Sequence, residues 1–255
     1  MLPVSPEMVE TFGLLLVRSL SFFMAGPIFS QRSVPPTVRL LLGLGTALAL
    51  FPIAPVPEAP IPGLFGFFLA VAGEVFLGLL LGFAAGFPFV GIRMAAGLVG
   101  VQMGFGVVNV FDPQQGHQVA LLSRFYDLLA LLLFLLMNGH HLLLRALGLS
   151  LRAVPLGGAE VAPGLGEALL GLAGSMFVTI LAVGAPLIAV LFLTDAAMGF
   201  VARMVPQMNI FIVGFPVKIG LGLFAMAVTL PYFVSTVDRL TSSLEQDLLA
   251  LLAGM

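Results

Sequence analysis

Six ionisable side chains interrupt long apolar runs, and in such runs charge is costly and usually functional. Several carboxylates along one path could relay protons, whereas a carboxylate beside a basic side chain could form a buried ion pair. Only three of the six are carboxylates, so buried structural ion pairs and side chains that snorkel from the ends of apolar segments are the simpler interpretation. Arg124 and Asp127 are three residues apart and can pair on one helix. The six candidates are Glu74, Arg124, Asp127, Asp195, Arg203 and Lys218.

Motifs of intramembrane and metal-dependent enzymes are incomplete in this sequence. Tyr126-Asp127 resembles half of an intramembrane aspartyl protease signature, but the Gly-x-Gly-Asp half is absent. His140 and His141 are adjacent and lack the His-Glu-x-x-His spacing of a zinc site; we expect them to mark a helix end after Asn138. No cysteine is available as a nucleophile or a metal ligand. The sequence therefore predicts no enzyme, no cofactor and no metal site.

The composition predicts that these residues lie in an integral membrane protein. Charged residues make up 9% of the 255 positions and hydrophobic residues 60%, whereas a soluble domain has about 25% charged residues. So few charges cannot cover a water-exposed surface. The net charge of −2 also provides no basic patch for a phosphate backbone. We therefore expect contact with membrane lipid and no nucleic-acid partner.

An all-α membrane fold follows from the length of the apolar segments, about six of which approach the roughly 20 residues of a spanning helix. The segment at 40–54 is short and the one at 64–92 is long, which suggests packing inside protein. A further stretch, 94–111, is apolar but glycine-broken. Arg32 and Arg39 favour a cytoplasmic first loop, and Glu7 and Glu10 argue against a cleaved signal. The six segments are residues 12–29, 40–54, 64–92, 125–144, 168–194 and 208–234.

Glycines and prolines indicate a tightly packed assembly of helices. Gly78, Gly82 and Gly86 share one helix face, where a neighbouring backbone can approach closely, either within this chain or from another subunit. Prolines within the apolar runs break backbone hydrogen bonds, which is tolerated at membrane depth only inside protein or along a cavity. No loop can hold a soluble domain, so we expect one domain over 1–255, with residues 237–253 as a C-terminal amphipathic helix.

Three stretches carry a resemblance to a known family. The first is GVQMGFGVVNVFDPQ at 100–114, continued by RFYDLLA at 124–130 and Asn138-Gly139-His140. The second is RMVPQMNIFIVGFP at 203–216, and the third is AGPIF at 25–29. Together they resemble the FliR family of flagellar biosynthesis proteins, a subunit of the type III secretion export gate. The likeness covers nearly the whole chain in the order of the family.

The resemblance implies a fold, partners and a location. FliR joins FliP and FliQ in a spiral gate through which unfolded flagellar subunits leave the cell, and it is similar in fold to FliP and FliQ fused end to end. Bent helical hairpins build this gate. The implied partners are FliP-like and FliQ-like gate subunits, an FlhB-like export switch protein and exported unfolded flagellar proteins in transit. The implied location is the bacterial inner membrane at the flagellar basal body.

An apolar segment at 103–111 suggests a pore plug. Apolar side chains that converge on an axis exclude water and ions, and glycines would let the segment move aside. The FliR family is similar here, since its corresponding loop plugs the gate; an ordinary re-entrant loop is the alternative. The predicted plug residues are Met103, Gly104, Phe105, Gly106, Val107, Val108, Asn109, Val110 and Phe111.

Two other functions remain open from the sequence. The equivalent export-gate subunit of a virulence injectisome would share the fold and the mechanism. A stand-alone secondary transporter would need inverted repeats and ion ligands near the membrane midplane, and the sequence displays neither. Purification would separate these possibilities, because a gate subunit requires partner chains and a transporter does not.

Overall fold

The computed structural model describes residues 6–31, 33–55, 63–105, 121–159 and 164–253. Within these residues every regular element is a helix, which confirms the all-α prediction. A 3-10 helix at Phe51–Ile53 directly follows the second α-helix. The α-helices of this part of the chain are α1 (Pro6–Ala25), α2 (Pro36–Leu50), α3 (Gly63–Gln102), α4 (Leu121–Leu136), α5 (Gly139–Ala153), α6 (Gly164–Met204) and α7 (Ile210–Ala253).

Within the part of the chain that the structure describes, five helices are long and apolar enough to cross a membrane, and the pair α4 and α5 would make a sixth span if counted as one. The five are α1, α2 with its 3-10 extension, α3, α6 and α7. This agrees with the six apolar segments expected from hydropathy. The prediction of an all-α membrane protein is therefore confirmed.

Three of these helices are much longer than the segments that predicted them. The helices α3, α6 and α7 contain 40, 41 and 44 residues. At about 1.5 Å per residue each is roughly 60 Å long, about twice the thickness of a bilayer core of roughly 30 Å. The stretch expected to be broken by glycine is helical as far as Gln102, which corrects that expectation. A glycine costs a helix only about 1 kcal/mol, and Gly97 allows the Ser123 hydroxyl to lie close to α3.

The segment expected as one span at 125–144 is divided between two helices, because α4 ends at Leu136 and α5 begins at Gly139. Asn138 adopts a left-handed conformation with φ 59° and ψ 25°. Asparagine tolerates this conformation better than most residues, so the Asn-Gly sequence suits the break between the helices. His140 and His141 lie in the first turn of α5, as expected of residues at a helix end.

The chain forms two compact units. The first unit contains Met1–Phe87, Asn138–Ala173 and Thr241–Met255, and the second contains Pro88–Met137 and Gly174–Leu240. The helices α3, α6 and α7 each contribute residues to both. In α3 the change from one unit to the other falls at Pro88, a proline inside the helix.

The core of the first unit forms where apolar faces of four helices meet. On α1 the buried positions recur at helical spacing, which gives the helix one inward face. Phe12 and Phe51 close the side of this core with ring centroids 5.7 Å apart in an edge-to-face arrangement. The central buried residues are Leu14, Leu15, Ala47, Ala70, Leu151 and Leu156.

Aromatic side chains and small residues hold the second unit together. Tyr126 of α4 lies edge-on to Phe233 of α7 with centroids 4.8 Å apart, and Phe89 of α3 packs in the same way on Phe134 of α4 at 5.3 Å. Gly91 of α3 faces α6 so closely that an added methyl group would lie 3.0 Å from the Met176 carbonyl oxygen. These contacts position the charged residues of this unit.

Candidate functional site

The charged group of the first unit is a fully buried ion pair between Arg18 and Glu74. Both side chains have 0% exposure. The Arg18 Nε donates to Glu74 Oε2, and its Nη2 donates to Glu74 Oε1 over 3.0 Å. This bidentate geometry is the strongest way to pair a guanidinium with a carboxylate. Glu74 was expected from its apolar surroundings, but its partner was not identified, because Arg18 lies 56 positions away.

The same guanidinium also caps the end of α5. Its Nη1 donates to the carbonyl oxygens of Ser150 at 3.1 Å and Val154 at 2.9 Å. Carbonyl groups at a helix end have no partner inside the helix and need one from elsewhere. The N–H of Gly157 in turn donates to Glu74 Oε1 at 2.8 Å. The pair therefore joins α1, α3 and the end of α5, and a carboxylate so occupied and closed to water is suited to holding structure.

The glycine row of α3 starts one turn after Glu74 and faces α1 at two of its three positions. A methyl group at Gly78 would overlap the backbone of Arg18 and lie 2.8 Å from Cβ of Ser21. At Gly82 it would lie 2.6 Å from the Phe22 carbonyl oxygen. At Gly86 a methyl group would meet no atom of the described residues within 4 Å beyond its own stretch of α3. Gly78 and Gly82 thus allow the close approach of α1 that brings Arg18 to Glu74.

In the second unit, two arginines flank one carboxylate. Asp127 of α4 is 3% exposed, and its oxygens lie 3.8 Å from Nε of Arg93 and 3.8 Å from Nη1 of Arg124. The two arginines are 46% and 57% exposed. The contact with Arg124 has the spacing noted in the sequence. Arg93 of α3 was not among the predicted site residues, although a single charged residue within an apolar run is the same signal that identified the other candidates.

Two of the three remaining candidates of this unit, Asp195 of α6 and Lys218 of α7, pair with each other. Lys218 Nζ contacts Asp195 Oδ1, with side chains 21% and 40% exposed. Lys218 also lines a cavity of about 460 Å³ together with Gln102, Gly104 and Phe215. Arg203 is exposed in the last turn of α6, where a positive charge favours the helix terminus.

Of the predicted plug, the structure describes the first three residues. Met103 is completely buried, and Gly104 has a positive φ of 95°. Phe105 follows and is half-buried. Gly104 is thus required for a backbone conformation that other residues rarely adopt. The remaining plug residues, Gly106, Val107, Val108, Asn109, Val110 and Phe111, lie outside the described residues.

The segment expected as a C-terminal amphipathic helix is the last part of α7. Apolar residues at helical spacing on one face are buried, whereas Asp238 and Arg239 are exposed. Glu245 lies 3.7 Å from Arg145 of α5 and is 29% exposed. The buried positions include Val237, Leu244, Leu248 and Leu251.

These groups suit structural and electrostatic roles more than metal chemistry. Among residues 6–31, 33–55, 63–105, 121–159 and 164–253, no three His, Asp or Glu side chains converge as metal ligands would. Each of Glu74, Asp127 and Asp195 instead lies beside an arginine or a lysine. The carboxylates are therefore placed to pair with charge.

Comparison with known proteins identifies the family. The family described as bacterial export proteins, family 1, matches residues 9–244. The flagellar biosynthetic protein FliR of Escherichia coli is 34% identical over 229 residues, which cover 90% of this chain and 87% of that protein. FliR of Bacillus subtilis is 32% identical over 254 residues, 96% of each chain. FliR of Aquifex aeolicus is 25% identical over 235 residues, 92% of this chain and 91% of that one. The chain therefore belongs to this family of bacterial export proteins, the FliR family, and is a membrane component of a flagellar export apparatus.

Proposed function

We propose that this chain forms part of the export gate itself, in the bacterial inner membrane at the flagellar basal body. It assembles there with FliP-like and FliQ-like subunits and meets an FlhB-like switch protein, and unfolded flagellar proteins pass through the resulting channel. The names of its relatives support the flagellar role. The proposal adds that the chain performs this role as one subunit of a spiral gate.

Exposed apolar surface supports an assembly in the membrane. On α2, only Gly43 and Ala47 are buried, while leucines on several sides of the helix are exposed. Such a surface requires cover by lipid or by other protein chains. Exposed leucines of α2 include Leu40, Leu41, Leu42, Leu44 and Leu48.

The end of α3 is the observation that carries the pore-plug assignment. The helix ends at Gln102, and Gly104 follows in a left-handed turn with a positive φ of 95°. The sequence that follows, FGVVNVF at 105–111, is apolar apart from one asparagine. Apolar side chains in a narrow pore favour a dry state and so resist ion flow. We infer that this segment helps to seal the resting channel.

Substitution of plug phenylalanines tests this function. Phe105→Ser and Phe111→Ser together should raise ion conductance across the membrane, because hydroxyl groups favour a wet pore. Conductance should be measured in cells where pull-down has confirmed the assembled complex. Phe65→Ser with Phe68→Ser is the matched control, since both phenylalanines are exposed on α3 outside the plug. Normal assembly without added conductance in the plug variant would show that the segment is not the seal.

The partner assignment has its own test. The chain should co-purify with FliP-like and FliQ-like subunits and should be degraded or heterogeneous when expressed alone, because its apolar surfaces then lack cover. Yield and size distribution in mild detergent provide the measurement. A monodisperse, protease-resistant monomer obtained without partners would contradict the gate and favour a self-sufficient transporter.

A further inference from the structure

The end of α3 is fastened to α7 by two contacts inside the second unit. The first involves Met103, which follows α3 and whose N–H donates to the Val99 carbonyl oxygen at 2.9 Å. Its side chain lies on Gly222 of α7. A methyl group at Gly222 would lie 2.6 Å from Cε, 2.8 Å from Sδ and 2.9 Å from Cγ of Met103. The methionine therefore occupies a notch that exists only because position 222 lacks a side chain.

The second contact involves Gly104 and Phe215. A methyl group at Gly104 would overlap the Phe215 ring, lying 2.6 Å from its Cε1 atom. Gly104 also has a positive φ of 95°, and its N–H donates to the Val101 carbonyl oxygen at 3.0 Å. The ring thus lies directly against the turn that ends α3.

Both contacts use one face of α7. Phe215 and Gly222 are seven residues apart, so they lie on the same side of the helix two turns apart. Lys218 lies between them on that side and pairs with Asp195 of α6. This face of α7 therefore holds the exit of α3 at two points, and the ion pair ties the same face to α6.

The fastening is apolar and therefore reversible. The contacts of Met103 with Gly222 and of the Phe215 ring with Gly104 depend on shape and dispersion. Methionine has three rotatable side-chain bonds and can leave or re-enter a notch by rotamer changes. The chain cannot lift away from α7 at Gly104 without moving Met103 out of the notch or Phe215 off the turn.

We propose that Phe215 and Gly222 form a latch that holds the base of the plug loop in its resting position. The proposal rests on the sealing role given to that loop under Proposed function. Release of Met103 from the notch is the event that frees the loop base. Phe215 and Gly222 are positioning residues, since they act on the loop through Met103 and Gly104.

Gly222→Ala tests the latch, and Gly220→Ala is its matched control. Both substitutions add the same methyl group and the same helix propensity to α7. Gly220 is exposed, and a methyl group there would meet no described atom within 4 Å beyond its own stretch of α7, whereas the methyl group at position 222 must displace Met103. The chain has no cysteine, so Phe105→Cys provides a single reactive thiol beside the latch. Maleimide labelling of that thiol in the assembled complex reports whether the loop base is held.

The labelling rate should rise several-fold in Gly222→Ala and stay unchanged in Gly220→Ala. Met103→Ala in the Gly222→Ala background should leave the rate at the raised level of Gly222→Ala without adding to it, because the contact between Met103 and Gly222 is already lost. Met103→Ala alone should also raise the labelling rate, since it removes the side chain that packs on Gly222 and adds no bulk to α7. This variant decides the question if Gly222→Ala does not assemble. An unchanged rate in the assembled Gly222→Ala variant, or in Met103→Ala, would overturn the latch.

Conductance separates the latch from the seal. It should be measured for Gly222→Ala with Phe105 intact and should rise along with the labelling rate. Faster labelling without added conductance would uphold the latch and refute the sealing role of the loop. Added conductance without faster labelling would count against the latch and leave the seal in place.

Discussion

The two units treat their charged residues differently. In the first unit, Arg18 and Glu74 are sealed from solvent, and carbonyl groups at the end of α5 take further guanidinium donors. In the second unit, Arg93 and Arg124 stand 3.8 Å from Asp127 and remain about half-exposed. A buried pair is fixed by the cost of leaving either charge alone in the interior. Solvent screens the half-exposed arginines, so each of their contacts should contribute less to stability than the buried pair of the first unit.

The largest effect is expected from breaking the buried pair. Glu74→Ala leaves the Arg18 guanidinium without a counter-charge, and loss of one partner of a buried pair costs about 3–5 kcal/mol of folding free energy. The unfolding midpoint of the purified assembly in denaturing detergent should fall accordingly. Glu167→Ala removes an exposed carboxylate from the first turn of α6 and should leave the midpoint unchanged.

A double substitution sharpens this expectation. Arg18→Met combined with Glu74→Leu removes both charges and should be less destabilising than either single change, because no charge remains buried without a partner. If the effects of the two single changes simply add in the double variant, the charges are not coupled and the pair does not have the role assigned to it.

An intermediate effect is expected at Asp127. Arg93→Ala or Arg124→Ala alone should cost only about 0–1 kcal/mol, as for exposed ion pairs, because the other arginine remains beside the carboxylate. The double variant removes both guanidinium groups from a carboxylate that is itself buried, so its cost should exceed the sum of the two single costs. A double-mutant cycle on the same unfolding midpoint measures this coupling. Strict additivity would mean that the two arginines do not share Asp127.

The smallest effect is expected at Arg145 and Glu245, which lie 3.7 Å apart with side chains 67% and 29% exposed. Arg145→Ala should cost less than about 0.5 kcal/mol, because solvent screens such a pair. Both residues belong to the first unit, as Arg18 and Glu74 do. A small loss of stability in this variant would therefore show that burial, and not the unit in which a pair lies, determines how much the pair contributes. A loss as large as that of Glu74→Ala would show that burial is not what distinguishes the pairs.

Local features of the fold were predictable from the sequence, and the distant contacts were not. The spacing of Arg124 and Asp127 was sufficient to anticipate their contact, and Asn138-Gly139 marked the end of a helix. The contact of Arg18 with Glu74 joins positions 56 residues apart, and no helical period relates them. The contact of Met103 with Gly222 was equally unpredictable, because the sequence does not show which side chain packs against a given glycine. The length of α3 was underestimated because packing outweighed the low helix propensity of its glycines.

The division of the long helices between the two units has a consequence for the order of synthesis. Residues of the first unit come before, between and after those of the second, and its third stretch begins only at Thr241. Leu244, Leu248 and Leu251 of that stretch are buried. The ribosome must therefore synthesise the whole second unit before the first can be completed. An interrupted translation product that ends before Thr241 would expose apolar surface of the first unit, which gives membrane proteases a means to remove incomplete chains before they reach a gate.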